Sequence, residues 1–202
     1  MTGVHRRPGG RSARVRAAVL EAALQEVVDI GYARMTMEGV ARRAGVNKTT
    51  LYRRWGTREG LLVEAFLERG QQRVPIPDTG SLREDLMAIA RAVAASSAAP
   101  DVQAIVRTVA SQPPDSPLLE ASRRFWAERF VLDGQVVQRA IERGEASTDA
   151  DPKTVIEAVL GPIYFRLLLT GEPADDAFVS GIVDLALEGT RADRRPDETG
   201  AA

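Results

Sequence analysis

Helical periodicity, with no convincing run of alternating residues anywhere, constrains this chain more than any other feature. Val15, Ala18, Val19, Ala22, Ala23, Val27 and Ile30 recur at steps of three and four, which places them on one face of a helix. Gly31 supplies a stop. Thr36 can cap a second, short helix to Ala44, and Gly45-Val46-Asn47 makes a tight turn. Asn47 caps a third helix, Lys48–Arg54, and Thr57 a fourth that reaches about Gln72. The stretch Val74-Pro75-Ile76-Pro77-Asp78-Thr79-Gly80 breaks the pattern and marks a domain boundary. Beyond it, Ser81 with Glu84 forms a capping-box pattern, and Leu82, Leu86, Ile89, Ala90 and Val93 line one face. Further starts fall at Pro100, at Ser116-Pro117, at Asp151-Pro152 and at Asp175 or Asp176. The helix from Pro117 is expected to run to Arg143, with Gly134 as its weak point. These start and stop signals predict an all-α chain of about nine helices.

Composition then removes whole classes of chemistry. There is no cysteine, and the single histidine, His5, stands in a Gly/Arg-rich leader. A thiol nucleophile, a Ser-His-Asp triad and a His- or Cys-ligated metal site are all unsupported. No metal, no cofactor and no enzymatic activity are therefore expected. The first twenty residues lack the apolar run of a signal peptide. No stretch approaches the about 18 apolar residues of a membrane span, so a cytoplasmic protein with no membrane partner is expected.

The net charge of −1 conceals an asymmetry. Residues 1–73 hold 14 Lys+Arg against 7 Asp+Glu, while the rest hold 13 against 21. A basic front end suits a polyanion, although clustering in an arginine-rich sequence gives the same count. Met37–Trp55 is more specific. Ala41 lies four residues before Gly45 and Leu51 six after it. A small residue lets two helices approach, a glycine permits the positive φ of the turn, and apolar residues set the crossing angle, as in a helix-turn-helix. The second helix of the pair presents Lys48, Thr49, Thr50, Tyr52, Arg53 and Arg54. These are hydroxyls and cations, suited to phosphates and base edges in a major groove.

The run Thr36-Met37-Glu38-Gly39-Val40-Ala41-Arg42-Arg43-Ala44-Gly45-Val46-Asn47-Lys48-Thr49-Thr50-Leu51-Tyr52-Arg53-Arg54-Trp55, with Thr57-Arg58-Glu59-Gly60-Leu61-Leu62 after it, closely resembles the DNA-binding signature of the tetracycline-repressor (TetR) family. Trp55 stands where a phenylalanine is usual and Arg58 where a lysine is common. The resemblance implies an N-terminal three-helix helix-turn-helix domain followed by a C-terminal helical domain for ligand binding and dimerisation. It implies that Thr36 and the start of the second helix contact phosphate and that Lys48, Thr49 and Thr50 read base edges. Tyr52 and Arg53 would bind phosphate, and Arg58 would clamp another. The expected organisation is a flexible basic tail over 1–12, the helix-turn-helix with its connecting helix over 13–73, the ligand-binding and dimerisation domain over 81–190, and a disordered tail over 191–202. The basic leader is either an arm for a minor groove or a segment with no role.

For the remaining helices the resemblance implies two tasks. One is a homodimer, which lets a two-fold protein read a palindromic operator on double-stranded DNA. Ile156, Leu160, Ile163 and Leu167 on one helix, with Phe178, Ile182 and Leu185 on the last, are the candidate interface; a monomer core is the other reading. The second task is to sense an unknown small-molecule ligand between helices. Met87, Ile105, Phe125, Trp126, Phe130 and Tyr164 are candidate walls or plain core, and Trp126 and Tyr164 bring polar tips to an apolar site. Arg166, a cation in an apolar helix, needs either an anionic ligand or a carboxylate such as Glu145 or Glu128; a structural pair is favoured. The combined expectation is a repressor released from its operator by ligand. A regulator governed by a protein partner, or an activator, is the alternative.

Overall fold

The computed structural model describes residues 10–190. Those residues form ten α-helices and one π-helical turn, with no strand among them. They are α1 (Gly10–Ile30), α2 (Met37–Ala44), α3 (Lys48–Trp55), α4 (Arg58–Arg73), α5 (Leu82–Ser97), α6 (Pro100–Ala110), α7 (Pro117–Asp133), α8 (Gln135–Glu142), α9 (Pro152–Phe165), the π turn (Arg166–Thr170) and α10 (Asp176–Thr190). The helix expected from Pro117 to Arg143 is two, broken at Gly134. A Cβ there would stand 2.8 Å from the Phe130 carbonyl oxygen and 3.1 Å from Pro152 Cβ. The glycine thus serves a close approach, not an unusual φ. The tail expected over 1–12 is corrected at its inner end, because α1 already begins at Gly10. The rest of that tail and the tail over 191–202 lie outside the described residues.

The chain divides into two compact units, and the division differs from the expected 13–73 and 81–190. The first unit takes the chain up to Arg73 together with Ser96–Arg129. Its core holds Val19, Ala23, Val40, Leu51, Leu61 and Leu62, none with more than a trace of exposure. Ile105 and Val109 of α6 pack on that core and Leu118 of α7 is inside it. These apolar contacts are why the segment after residue 96 groups with the front helices.

The second unit takes Val74–Ala95 with the chain from Phe130 on. The α5 stripe Leu82, Leu86, Ile89, Ala90 and Val93 is buried, as its spacing predicts, and packs with Val136, Val137, Ile156, Val159 and Ile163. The Pro-rich break at 74–80 is anchored, not loose. Val74 is buried, and the fully buried Asp85 accepts from both the Thr79 N–H and its hydroxyl at 2.8 Å. Arg139 of α8 lies 3.9 Å from Asp85 and donates to the Pro77 carbonyl. A buried charge needs such partners.

Late in α9, Pro162 removes one backbone donor. Four residues on, the helix widens into the π turn, where the Gly171 N–H reaches back to the Arg166 carbonyl. This turn holds Arg166 outside the apolar core. Its Nε donates to Glu172 at 2.9 Å, and its guanidinium lies 4.0 Å from the Phe178 ring. The partner is thus Glu172, not Glu145 or Glu128, and the pair removes the reason to place an anionic ligand at Arg166.

The expected dimer residues also need correction. Ile156, Leu160, Ile163 and Ile182 are buried in the chain's own core, and Leu167 and Phe178 pack against it. Leu185 alone of the seven stands open, at 70%. A helix that is apolar on most of its circumference gives no signal of which face turns inward. The faces left outside carry Ala158, Gly161 and Phe165 on α9, and Ala177, Gly181 and Leu185 on α10.

Candidate nucleic-acid interface

The α2–α3 pair is built as its caps dictate. Thr36 is the N-cap of α2 and its hydroxyl accepts from the Gly39 N–H at 3.0 Å. Gly45 adopts φ +66°, and its N–H donates to Arg42. The next N–H, of Val46, donates to Ala41 at 3.0 Å. Asn47 Oδ1 accepts from the Thr49 N–H at 2.9 Å and starts α3. Such side-chain caps satisfy orphan donors and are worth about 1 kcal/mol each.

Leu51, with no exposed surface, anchors α3 to the core of the first unit. On a helix, burial at one position turns those a half-turn away outward. Thr49 and Arg53 are accordingly exposed; Lys48 and Tyr52 are exposed as well, Thr50 is half-buried, and Thr36 is exposed at the head of α2. Glu38, in the first turn of α2, bridges the two helices. Its Oε1 lies 3.5 Å from Lys48 Nζ and 3.4 Å from the Tyr52 hydroxyl. Its own backbone N–H, followed by Lys48 and Tyr52, holds this carboxyl below the ordinary range.

Arg58 departs from expectation. Its Nε donates to Glu59 at 2.8 Å, and its Nη1 donates to the carbonyls of Tyr32 and Met35 at 3.1 and 3.0 Å. The guanidinium lies 4.2 Å from the Tyr32 ring centre. These bonds engage Arg58 with the α1–α2 connection. Tyr32 donates its hydroxyl to Glu59 at 2.5 Å. Burial, then that carboxylate, pushes the Tyr32 phenol up to about 12.

Glu64 of α4 was not legible as a functional residue. It accepts from Trp55 Nε1 at 2.6 Å and from Arg16 Nε at 2.5 Å, with Arg54 at 3.6 Å. One carboxylate thus ties α1, α3 and α4 together. Trp55 stands where a phenylalanine is usual, and its indole N–H is where the α4 contact is made. The only available hint was an acidic residue within a basic third of the chain. Arg43 is likewise engaged, with Glu26 and Asp29 at 2.8 Å.

The candidate ligand walls are divided between the units. In the first, Phe125 meets the Phe66 ring at 6.2 Å and the Trp126 ring at 5.0 Å, both edge-on, and Ile105 packs on the core. In the second, Met87 is core, while Phe130 and Tyr164 are half-buried against it. No helix among the described residues is long and apolar enough to cross a membrane.

Comparison with known proteins agrees with this geometry. Residues 19–65 match the family described as bacterial regulatory proteins, tetR family. Residues 76–186 match the tetracyclin repressor-like C-terminal domain. The chain is 36% identical over 181 residues to the HTH-type transcriptional regulator AqdR of Rhodococcus erythropolis, covering 89% of this chain and 86% of that one. It is 33% identical over 170 residues to the DNA-binding transcriptional repressor TetR of Mycobacteroides abscessus, covering 83% and 89%. Among solved structures, the TetR family transcription regulator SCO0332 superposes with a TM-score of 0.69 at 32% identity, covering 89% of this chain and all of that one.

Proposed function

The chain belongs to the TetR family of bacterial regulatory proteins, and we propose that it acts as a homodimeric repressor that binds a palindromic operator and releases it when a small molecule binds. One observation carries the DNA-binding part. Leu51, fully buried, anchors a helix whose Lys48, Thr49, Tyr52 and Arg53 all stay exposed and whose first turn is capped. In this reading Lys48, Thr49 and Thr50 meet base edges, while Thr36, Tyr52 and Arg53 hold phosphates. A relative named as a repressor supports repression.

The dimer places two copies of α3 about 34 Å apart, one turn of DNA. Its surface is formed by the open faces of α9 and α10, where Gly161 and Gly181 would meet nothing within 4 Å if they carried a Cβ. Ligand sensing rests on the match of residues 76–186 to the family's C-terminal domain. The half-buried Phe130 and Tyr164, packed on the core to which Met87 belongs, are the side chains of the second unit through which it would act. Within the first unit a route to DNA exists. Phe125 of α7 packs on Phe66 of α4, and Glu64 of α4 holds Trp55 and Arg54 of α3. Switching needs only that ligand prefer one arrangement by roughly 1–3 kcal/mol, which weakens DNA binding about 5- to 150-fold.

The test is a mobility shift with DNA from upstream of the protein's own gene, at two salt concentrations. Salt-sensitive binding is expected, and Tyr52→Ala should abolish or greatly weaken it while leaving the melting temperature unchanged. Binding that survives Tyr52→Ala and Lys48→Ala together would overturn the assignment of α3.

A further inference from the structure

Glu38 puts a carboxylate on the surface assigned to DNA, where a polyanion should exclude it. Its side chain is half-exposed, and the same oxygen approaches both Lys48 Nζ and the Tyr52 hydroxyl, at 3.5 and 3.4 Å. A phosphate or base edge that draws on either partner competes with that oxygen for the same donors. Once they leave, Glu38 has lost its neutralising cation and faces the major groove beside phosphates. A donor on a base edge would make good that loss. Cytosine N4–H₂ is the donor that a glutamate accepts from in that groove.

Resting on the reading of α3 as the recognition helix, we propose that Glu38 is a specificity-determining residue: it opposes binding to DNA in general by holding Lys48 and Tyr52, and it is satisfied at the cognate site by a cytosine amino group. Discrimination of this kind works through a repulsive element as much as an attractive one. Glu38 lowers affinity everywhere and restores it at one base.

The experiment compares wild type, Glu38→Gln, Glu38→Ala and Lys48→Ala, all full-length. Duplexes are selected from a random library with the wild-type protein, and affinities are then measured on the selected duplex and on random-sequence duplex over a salt series. Glu38→Gln should bind random duplex several-fold more tightly, with a salt slope steeper by about 0.9 as Lys48 becomes available to phosphate. The ratio of selected to random affinity should fall roughly five- to a hundredfold. Repeating the selection with Glu38→Gln should lose one cytosine preference. Glu38→Ala should raise random-duplex affinity as Gln does, since the charge is what matters. An unchanged random-duplex affinity, or an equal gain on both duplexes, would overturn the proposal. Lys48→Ala with unaltered affinity on both would instead overturn the DNA face itself, so the two failures are distinguishable. The side chain is exposed, so a melting curve unchanged within a few degrees is expected for each variant.

Discussion

Replacing Leu185 with alanine separates the face that builds the subunit from the face that builds the dimer. Leu185 is 70% exposed in the isolated chain, so the substitution removes almost nothing from the fold; exposed changes of this kind stay within about 0.5 kcal/mol. In a two-fold dimer the same face meets its own copy, and every loss counts twice. Leucine to alanine deletes three methylene-sized groups, worth roughly 0.8 kcal/mol each when fully buried. Scaled by the 70% of the side chain available to be covered, that is about 1.7 kcal/mol per subunit and about 3.4 per dimer. The dissociation constant of the dimer should then rise about 300-fold. Ile156→Ala should do the reverse: with no exposed surface, it should cost about 2–5 kcal/mol of folding stability and act on association only through the fold. Sedimentation equilibrium gives the first quantity and urea unfolding of dilute, monomeric protein the second. A Leu185→Ala dimer as tight as wild type would refute the assignment of the open α10 face. So would a monomer destabilised as much as by Ile156→Ala.

Other outcomes follow from single contacts. The Tyr32 phenol, ordinarily near 10.0, is raised to about 12. Its neutral form is the one the fold prefers, so its contribution is complete below pH 10 and is lost as pH climbs toward 12. Wild type should therefore lose on the order of 2–3 kcal/mol over that window. Tyr32→Phe should lack this component in alkaline denaturation, and parallel curves would refute it. Gly134→Ala forces a methyl to within 2.8 Å of the Phe130 carbonyl oxygen and should cost about 1–3 kcal/mol. A neutral result in urea unfolding would mean that the α7–α8 junction gives way.

Local signals in the sequence proved sound where the physics is local. Thr36, Asn47, Thr57 and Asp151 cap the helices that their positions announced, because a cap needs only neighbours three residues away. The buried stripe of α5 is legible for the same reason. What escaped depends on distant partners. Arg58 reads as a surface cation until the carbonyls of Tyr32 and Met35 are seen beneath it. Arg166 pairs with Glu172 only because the π turn brings residue 172 back. Six of the seven expected dimer residues read as surface candidates only because sequence does not show that the most apolar positions of α9 and α10 serve the subunit's own core. Glu38 carries no sequence signal of its role, since its meaning lies in two side chains of the next helix.

Glu64 has a mechanical consequence. With Arg16, Trp55 and Arg54 all held by one carboxylate, the recognition helix has no hinge of its own. In the proposed dimer, the reading head would move as one piece, like the jaw of a caliper. An effector in such a dimer would change nothing about how each jaw is shaped. It would set only the gap between them, so its potency should depend on operator spacing and hardly at all on operator half-site sequence.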